Sequence, residues 1–156
     1  MIPAMIESYL REQHLPFEPL AHPRAVAAQR LAAIEHVSGS RIAKPVVCSV
    51  DGRLSLAVVP ATKRVDLEVL REALGAVHVW LVPEHGFAER FWPCEPGAEP
   101  PLGLFGIPIY VDADLAREPW IVMRGGTHED AIQVDTDDWL ICERVRIVES
   151  LAAEMN

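Results

Sequence analysis

Apolar residues recur at helical spacing in residues 3–14, where Met5, Ile6, Tyr9 and Leu10 form one stripe behind Pro3, and this predicts a short amphipathic helix. Residues 15–20 set Pro16 and Pro19 around Phe17; they read as an edge strand, because proline brings no amide to a ladder. His22-Pro23 then opens an alanine-rich helix expected to reach Val37, with Val26, Leu31, Ile34 and Val37 inward. Residues 42–59 are two apolar runs joined by Asp51-Gly52, the strongest short-range hairpin signal. A third helix is expected from Asp66 to Leu74 with Gly75 as its stop. A strand over residues 77–82 and a helical turn over 83–91 follow. Further strands are expected at residues 107–111, 120–124 and 131–134. After Thr136, the spacing of Trp139, Leu140, Cys142, Val145, Val148 and Leu151 predicts a last helix of about 16 residues.

Strands outnumber single-helix crossovers in this pattern, so much of the sheet must be hairpin-connected. The expected class is α/β: a single domain over residues 1–156, with a curled, mixed, largely antiparallel β-sheet or barrel and helices packed outside. Composition agrees, since 156 residues with 50% hydrophobic and 24% charged side chains suit one core. No apolar run approaches the roughly 20 residues of a membrane span and no secretory leader opens the chain, so a cytoplasmic protein without a membrane partner is expected. Cys48, Cys94 and Cys142 lie far apart, which indicates neither a disulfide framework nor a zinc site. A net charge of -9 argues against broad binding to the backbone of DNA or RNA.

Catalytic motifs narrow the field by their absence. The sequence has no GxSxG elbow, Walker loop, GxGxxG or HExxH, and His128, Glu129 and Asp130 have no third metal ligand at a suitable spacing. No metal and no cofactor are expected. Three segments remain. Lys44, one of two lysines, stands at the mouth of the first hairpin strand, where it either snorkels to water or offers its ammonium to an anion. Residues 92–106 hold four prolines and three glycines, so sterics hold that loop, and a long ordered loop is usually functional. Gly125-Gly126-Thr127-His128 on its own is a hairpin turn.

Taken in order, His22-Pro23, the alanine-rich segment, Ala43-Lys44, Arg64-Val65-Asp66-Leu67, residues 97–103 and residues 125–128 resemble the YbaK/prolyl-tRNA synthetase-associated domain family. These are free-standing relatives of the editing insertion domain of bacterial prolyl-tRNA synthetases, and the likeness spans roughly residues 5–150, one whole domain. The resemblance implies an editing-domain-like fold and hydrolysis of mischarged aminoacyl-tRNA in trans. The partner would be the acceptor end of an aminoacyl-tRNA, and the amino acid removed a small wrong one such as alanine, serine or threonine, foremost from the proline tRNA. It makes Lys44, Gly97 and His128 the candidate catalytic positions, with Lys44 near the terminal adenosine and its phosphate. Ala98, Glu99, Pro100, Pro101, Gly103, Gly125, Gly126 and Thr127 become the candidate substrate-binding positions. His128 matches a histidine of the alanine-type and related branches that the cysteine-type branch replaces. Pro45 departs from the family, which more often has threonine or asparagine there, and proline supplies neither an amide nor a side-chain donor.

Such a reaction needs a cationic anchor, fixed dipoles for the oxyanion and a positioned water; it needs no protein nucleophile. Lys44, with Arg41 or Arg124 nearby, would be the anchor. Cys48, inside a strand, and Cys94, beside Glu95, are not expected to act as thiolates. A reading of another class stays open: a non-catalytic module that holds an aminoacyl or nucleotide ligand in the same pocket, or docks on an aminoacyl-tRNA synthetase. The acidic charge favours that reading, and turnover on an aminoacyl-tRNA separates the two.

Overall fold

The computed structural model describes residues 1–155. In chain order the first half contains α1 (Ala4–Glu12), β1 (Phe17–Ala21), α2 (Ala28–Ile34), β2 (Ala43–Val50), β3 (Arg53–Pro60), β4 (Lys63–Val65), α3 (Leu67–Leu74) and β5 (Val79–Leu81). After a long connection with three short 3-10 turns come β6 (Ile109–Asp112), α4 (Ala113–Ala116), β7 (Trp120–Arg124), β8 (Asp130–Asp135), α5 (Thr136–Cys142), β9 (Arg146–Val148) and β10 (Ala152–Glu154).

The predicted hairpin forms the spine. β2 and β3 pair antiparallel along their whole length, from Ala43 opposite Pro60 to Val50 opposite Arg53. Asp51 and Gly52 both take positive φ, 49° and 85°, as a two-residue turn between twisted strands requires. β5 extends this sheet antiparallel beside β2, while β6 and β9 extend it in parallel beyond β3, giving the order β5-β2-β3-β6-β9. A second, antiparallel sheet has the order β1-β8-β7, with proline-bearing β1 at its edge as expected. β4 pairs with β10. One parallel bridge, Ile42 to Val122, joins the two larger sheets where β2 begins. The sheets are mixed and have helices packed against them, but they stay open at β5, β9, β1 and β7, so the barrel form of the expectation is not realised.

Two helices differ from their predicted lengths. The second begins at Ala28 rather than His22, because the preceding residues continue the β1–β8 pairing: the His22 amide donates to Glu129 O at 2.9 Å and the Ala25 amide to His128 O at 2.8 Å. Leu31 is buried as predicted, but Val26, read as inward, is 62% exposed. The last helix stops at Cys142, and Arg144 follows with φ 51°. Residues 146–148 then lie parallel to Tyr110–Asp112 instead of extending the helix. Val148 and Leu151, whose spacing imitated a helix, are buried with Cys48, Ala57 and Leu70 under α3; tertiary pairing overrides the local period. Elsewhere α3 ends as predicted, capped by the Asp66 carboxylate at its start and by left-handed Gly75.

The main core packs Ile6 and Leu10 of α1 against Leu56, Phe91, Phe105 and Trp139. Burying these side chains is the principal favourable term in the fold. α1 also presses on the turn after β7: a Cβ on Gly126, whose φ is 93°, would stand 2.8 Å from side-chain atoms of Pro3 and Ile6. Gly126→Ala therefore combines backbone strain with overpacking. Its expected effect is a loss of ~1–3 kcal/mol, read as a lower urea midpoint at an unchanged m-value.

Candidate functional site

Two main-chain hydrogen bonds assemble the site. The Glu95 amide donates to Gly126 O at 2.8 Å and the Gly126 amide to Ala98 O at 3.0 Å, so the proline-rich loop and the glycine turn act like a short ladder. Ala98, Glu99, Pro100, Pro101 and Leu102 are buried, and Trp139 Nε1 donates to Pro101 O at 2.9 Å. The tip of this stretch is open: Pro96 and Gly97 are exposed, and Gly97 takes φ 82°, a conformation that favours glycine.

Gly97 forms one wall of a cavity of about 150 Å³ whose other walls are Val26, Ala28, Ile42, Ala43, Lys44, Pro45 and Arg124. The structure thus brings together Lys44 and Gly97 from the expected set. His128 packs behind Gly97, its Cε1 3.5 Å from the position a Cβ there would take. Gly126 faces α1 instead, Thr127 Oγ1 donates to Asp130 Oδ2 at 2.6 Å, and Gly125 N donates to Asp130 O at 2.9 Å. Gly103 lies apart from the cavity: its amide donates to the Glu143 carboxylate, which also accepts from Tyr9 Oη at 2.8 Å. That cluster pins α1 to α5, and burial raises the pKa of both Tyr9 and Glu143.

The electrostatics centre on two cations. Lys44 is half-buried; its ammonium donates to Ala61 O at 3.4 Å and to Lys63 O, and burial lowers its pKa. Those carbonyls take part of its donor capacity, since an ammonium has three N–H groups. Arg124, 5% exposed, donates Nη1 to Ala25 O and Nη2 to Val26 O. It thereby holds residues 25 and 26 over the cavity. Burial lowers its pKa and Glu99 opposes that fall. Arg41 is engaged elsewhere, with Glu118 and over the Trp120 ring, 4.3 Å from its centroid.

His128 is 3% exposed. Its Nε2 stands 2.8 Å from Pro96 O, an acceptor only, so Nε2 carries a proton; Nδ1 is buried with no partner among the described residues. The His128 amide donates to Glu95 Oε1 at 3.1 Å, and Arg24 pairs with the other oxygen of that carboxylate at 3.2 Å. The bond from His128 and the Arg24 charge hold Glu95 below the usual carboxylate range. Among the described residues no serine, threonine or cysteine lines the cavity. Cys48 and Cys94 are buried, and burial pushes each thiol up to about 12, so neither is a thiolate at neutral pH.

Sequence reasoning missed the walls Val26, Ala28 and Ile42, and it named Arg124 only as a nearby phosphate contact. Arg124 did carry a signal: it closes the apolar run Trp120-Ile121-Val122-Met123, and a cation there is buried among partners. A larger groove, about 540 Å³, runs between α1 and β1, but it is lined by Ile2, Glu7, Leu10, Arg11, His14 and neighbours and holds none of the expected residues.

The structure is a mixed α/β fold with a small, mostly apolar cavity whose lining includes Lys44 and Arg124. The profile of the aminoacyl-tRNA editing domain matches residues 22–141, most of the chain. The chain belongs to the aminoacyl-tRNA editing domain family. A search of curated proteins finds no match. Solved structures share the fold. One is the hypothetical protein APE2540, with TM-score 0.85, 20% identity, and coverage of 96% of this chain and 99% of that one. Another is a protein described as a candidate trans-editing enzyme for prolyl tRNA synthetase, with TM-score 0.81, 20% identity, and coverage of 97% and 96%. A candidate signal transduction protein from Marinobacter aquaeolei VT8 matches at TM-score 0.73 and 16% identity, covering 99% of this chain but 31% of that one.

Arg124→Ala should be among the most destabilising changes at the site, because it strips two carbonyls of their donors and leaves Glu99 without its counter-charge. The expected loss is about 3–5 kcal/mol. Arg124→Lys should recover only part of it, since a point charge does not span two carbonyls as a planar fork does. Urea unfolding measures both, and hydrogen exchange at the Ala25 amide should speed up in each variant.

Proposed function

We propose that the protein is a trans-editing deacylase that hydrolyses mischarged aminoacyl-tRNA carrying a small amino acid such as alanine, serine or threonine, foremost on the proline tRNA. The observation that carries this reading is the cavity, in which Lys44, Gly97 and Arg124 meet around about 150 Å³ of mostly apolar wall. Family membership supports editing in general, and the small volume supports a small aminoacyl group. A synthetase site built for proline cannot strongly reject amino acids of similar or smaller size, because one methylene is worth only about 1–3 kcal/mol; a second sieve must remove them.

In this reading Lys44 binds phosphate or ribose at the acceptor end, exchanging a main-chain carbonyl for the ligand. Gly97 lets the ester approach the backbone closely, and water is the nucleophile, since the walls provide no hydroxyl or thiol. Proton transfer and oxyanion stabilisation then fall to groups already fixed around the cavity. In this reading turnover needs no metal. Among the described residues no three His, Cys, Asp or Glu side chains are grouped as metal ligands.

One observation favours a second reading. The Lys44 ammonium rests on the carbonyls of Ala61 and Lys63, as a structural lysine would, and the chain has a net charge of -9. A non-catalytic aminoacyl- or nucleotide-binding module, or one docking on a synthetase, accommodates both facts.

Single-turnover deacylation of alanyl-, seryl-, threonyl-, cysteinyl- and prolyl-tRNA separates the readings. The expected result is hydrolysis of the first three with prolyl-tRNA spared. Lys44→Ala should reduce the rate by about 100-fold or more with cooperative unfolding retained, and activity should survive exhaustive EDTA treatment. Absence of turnover on every substrate would favour the binding module, and zinc-restored activity would overturn metal independence.

A further inference from the structure

The loop beneath the cavity buries one carboxyl that packing does not call for. Glu99 is 4% exposed, and its Oε2 has no hydrogen-bond partner among the described residues. A structural carboxylate at such depth is normally satisfied on both oxygens or paired. Asp112 is an example: its oxygens accept from the amides of Ala152 at 2.9 Å and Asp114 at 3.0 Å.

Glu99 instead stands among groups that belong to the site. Arg124 on β7 attracts it, Glu84 from the preceding helical turn repels it, and the amides of Gly97 and Glu99 face its carboxyl. The buried Cys94 thiol lies close enough to be raised further by it. His128, whose Nδ1 is also buried without a partner among the described residues, packs against the same Gly97. Burial outweighs the stabilising groups and pushes the Glu99 pKa up to about 6.

Two cavity walls therefore lie within reach of this side chain: Gly97, two residues before it on the same loop, and Arg124, whose charge it offsets. We propose that Glu99 is a positioning residue for ester cleavage, acting in its ionised form through Gly97 and Arg124. The inference rests on the deacylase reading. An ionised carboxylate is the stronger acceptor for the Gly97 amide, which fixes the open wall of the cavity. It also balances the guanidinium that holds residues 25 and 26 in place. Protonation removes both effects.

The sign of the stability effect distinguishes this role from a structural one. A carboxyl whose folded pKa lies above its unfolded value binds protons more readily in the folded state, so folding weakens as pH rises from the ordinary glutamate range through about 6. A residue that lowers stability at neutral pH while aiding cleavage fits a functional position.

The test compares wild type, Glu99→Gln and Glu99→Asp by single-turnover deacylation of alanyl-tRNA between pH 5 and 8, with thermal unfolding at pH 8. Wild type should lose activity as pH falls through about 6. Glu99→Gln should be slower at pH 8 by about 10- to 100-fold, should lack that acid limb, and should unfold at a temperature no lower than wild type. Glu99→Asp should regain part of the rate with the limb displaced. If wild type is active and Glu99→Gln keeps its rate and acid limb, or loses activity only in proportion to a lower unfolding temperature, the inference is overturned and the deacylase reading stands. If Glu99→Gln does not fold, the wild-type limb and Glu99→Asp decide the matter: a flat wild-type profile overturns the inference. If wild type hydrolyses no aminoacyl-tRNA, the deacylase reading falls and takes the inference with it.

Discussion

The site hangs on the exchange of main-chain hydrogen bonds between the loop at residues 95–98 and Gly126. Without those two bonds the loop would be a proline-stiffened connector untied to the glycine turn. With them, Gly97 is fixed at the edge of a cavity, and His128 is carried behind it by the same turn. The turn is held in its own right by α1, which packs against Gly126 too closely for any side chain there. An N-terminal helix far from the cavity in sequence is thus part of what shapes it.

Charge in the interior costs hydration. Lys44, Arg124 and Glu99 are all partly or fully removed from water, and each loses hydration that its contacts only partly replace. Arg124 repays its burial by binding two carbonyls and so fixing residues 25 and 26 ahead of the helix that starts at Ala28. The outcome is a cavity with apolar walls and cationic flanks on a protein whose overall charge is strongly negative. Local field, rather than net charge, governs what such a cavity can hold.

Much of the fold was legible because local signals and tertiary demands coincide. Asp51-Gly52, the Asp66 cap and Gly75 each fix a boundary by backbone chemistry that neighbours do not override. The signals failed where a long-range partner competed. Residues 22–27 looked helical but extend an antiparallel pairing with residues 128–129, and residues 145–151 carried a helical period, yet 146–148 pair with β6. At the site, Lys44 and Gly97 were visible as an odd lysine and an odd loop, and the structure sets both on one cavity. The depth of Glu99 and the grip of Arg124 on Ala25 and Val26 were not visible, since both depend on contacts between segments distant in the chain. Gly103 shared the loop's sequence character but belongs to the cluster with Tyr9 and Glu143.

The central claim is that the small cavity at Gly97, rather than the larger groove between α1 and β1, receives the aminoacyl end of the substrate. Mapping amide chemical shifts during titration with a non-hydrolysable alanyl-adenosine analogue tests it most directly. The account predicts that perturbations centre on Val26, Ala43, Lys44 and Gly97 and weaken sharply in Lys44→Ala. Perturbations confined to Leu10, His14, Leu15 and Phe17, the walls of the larger groove, and unchanged in Lys44→Ala would contradict it.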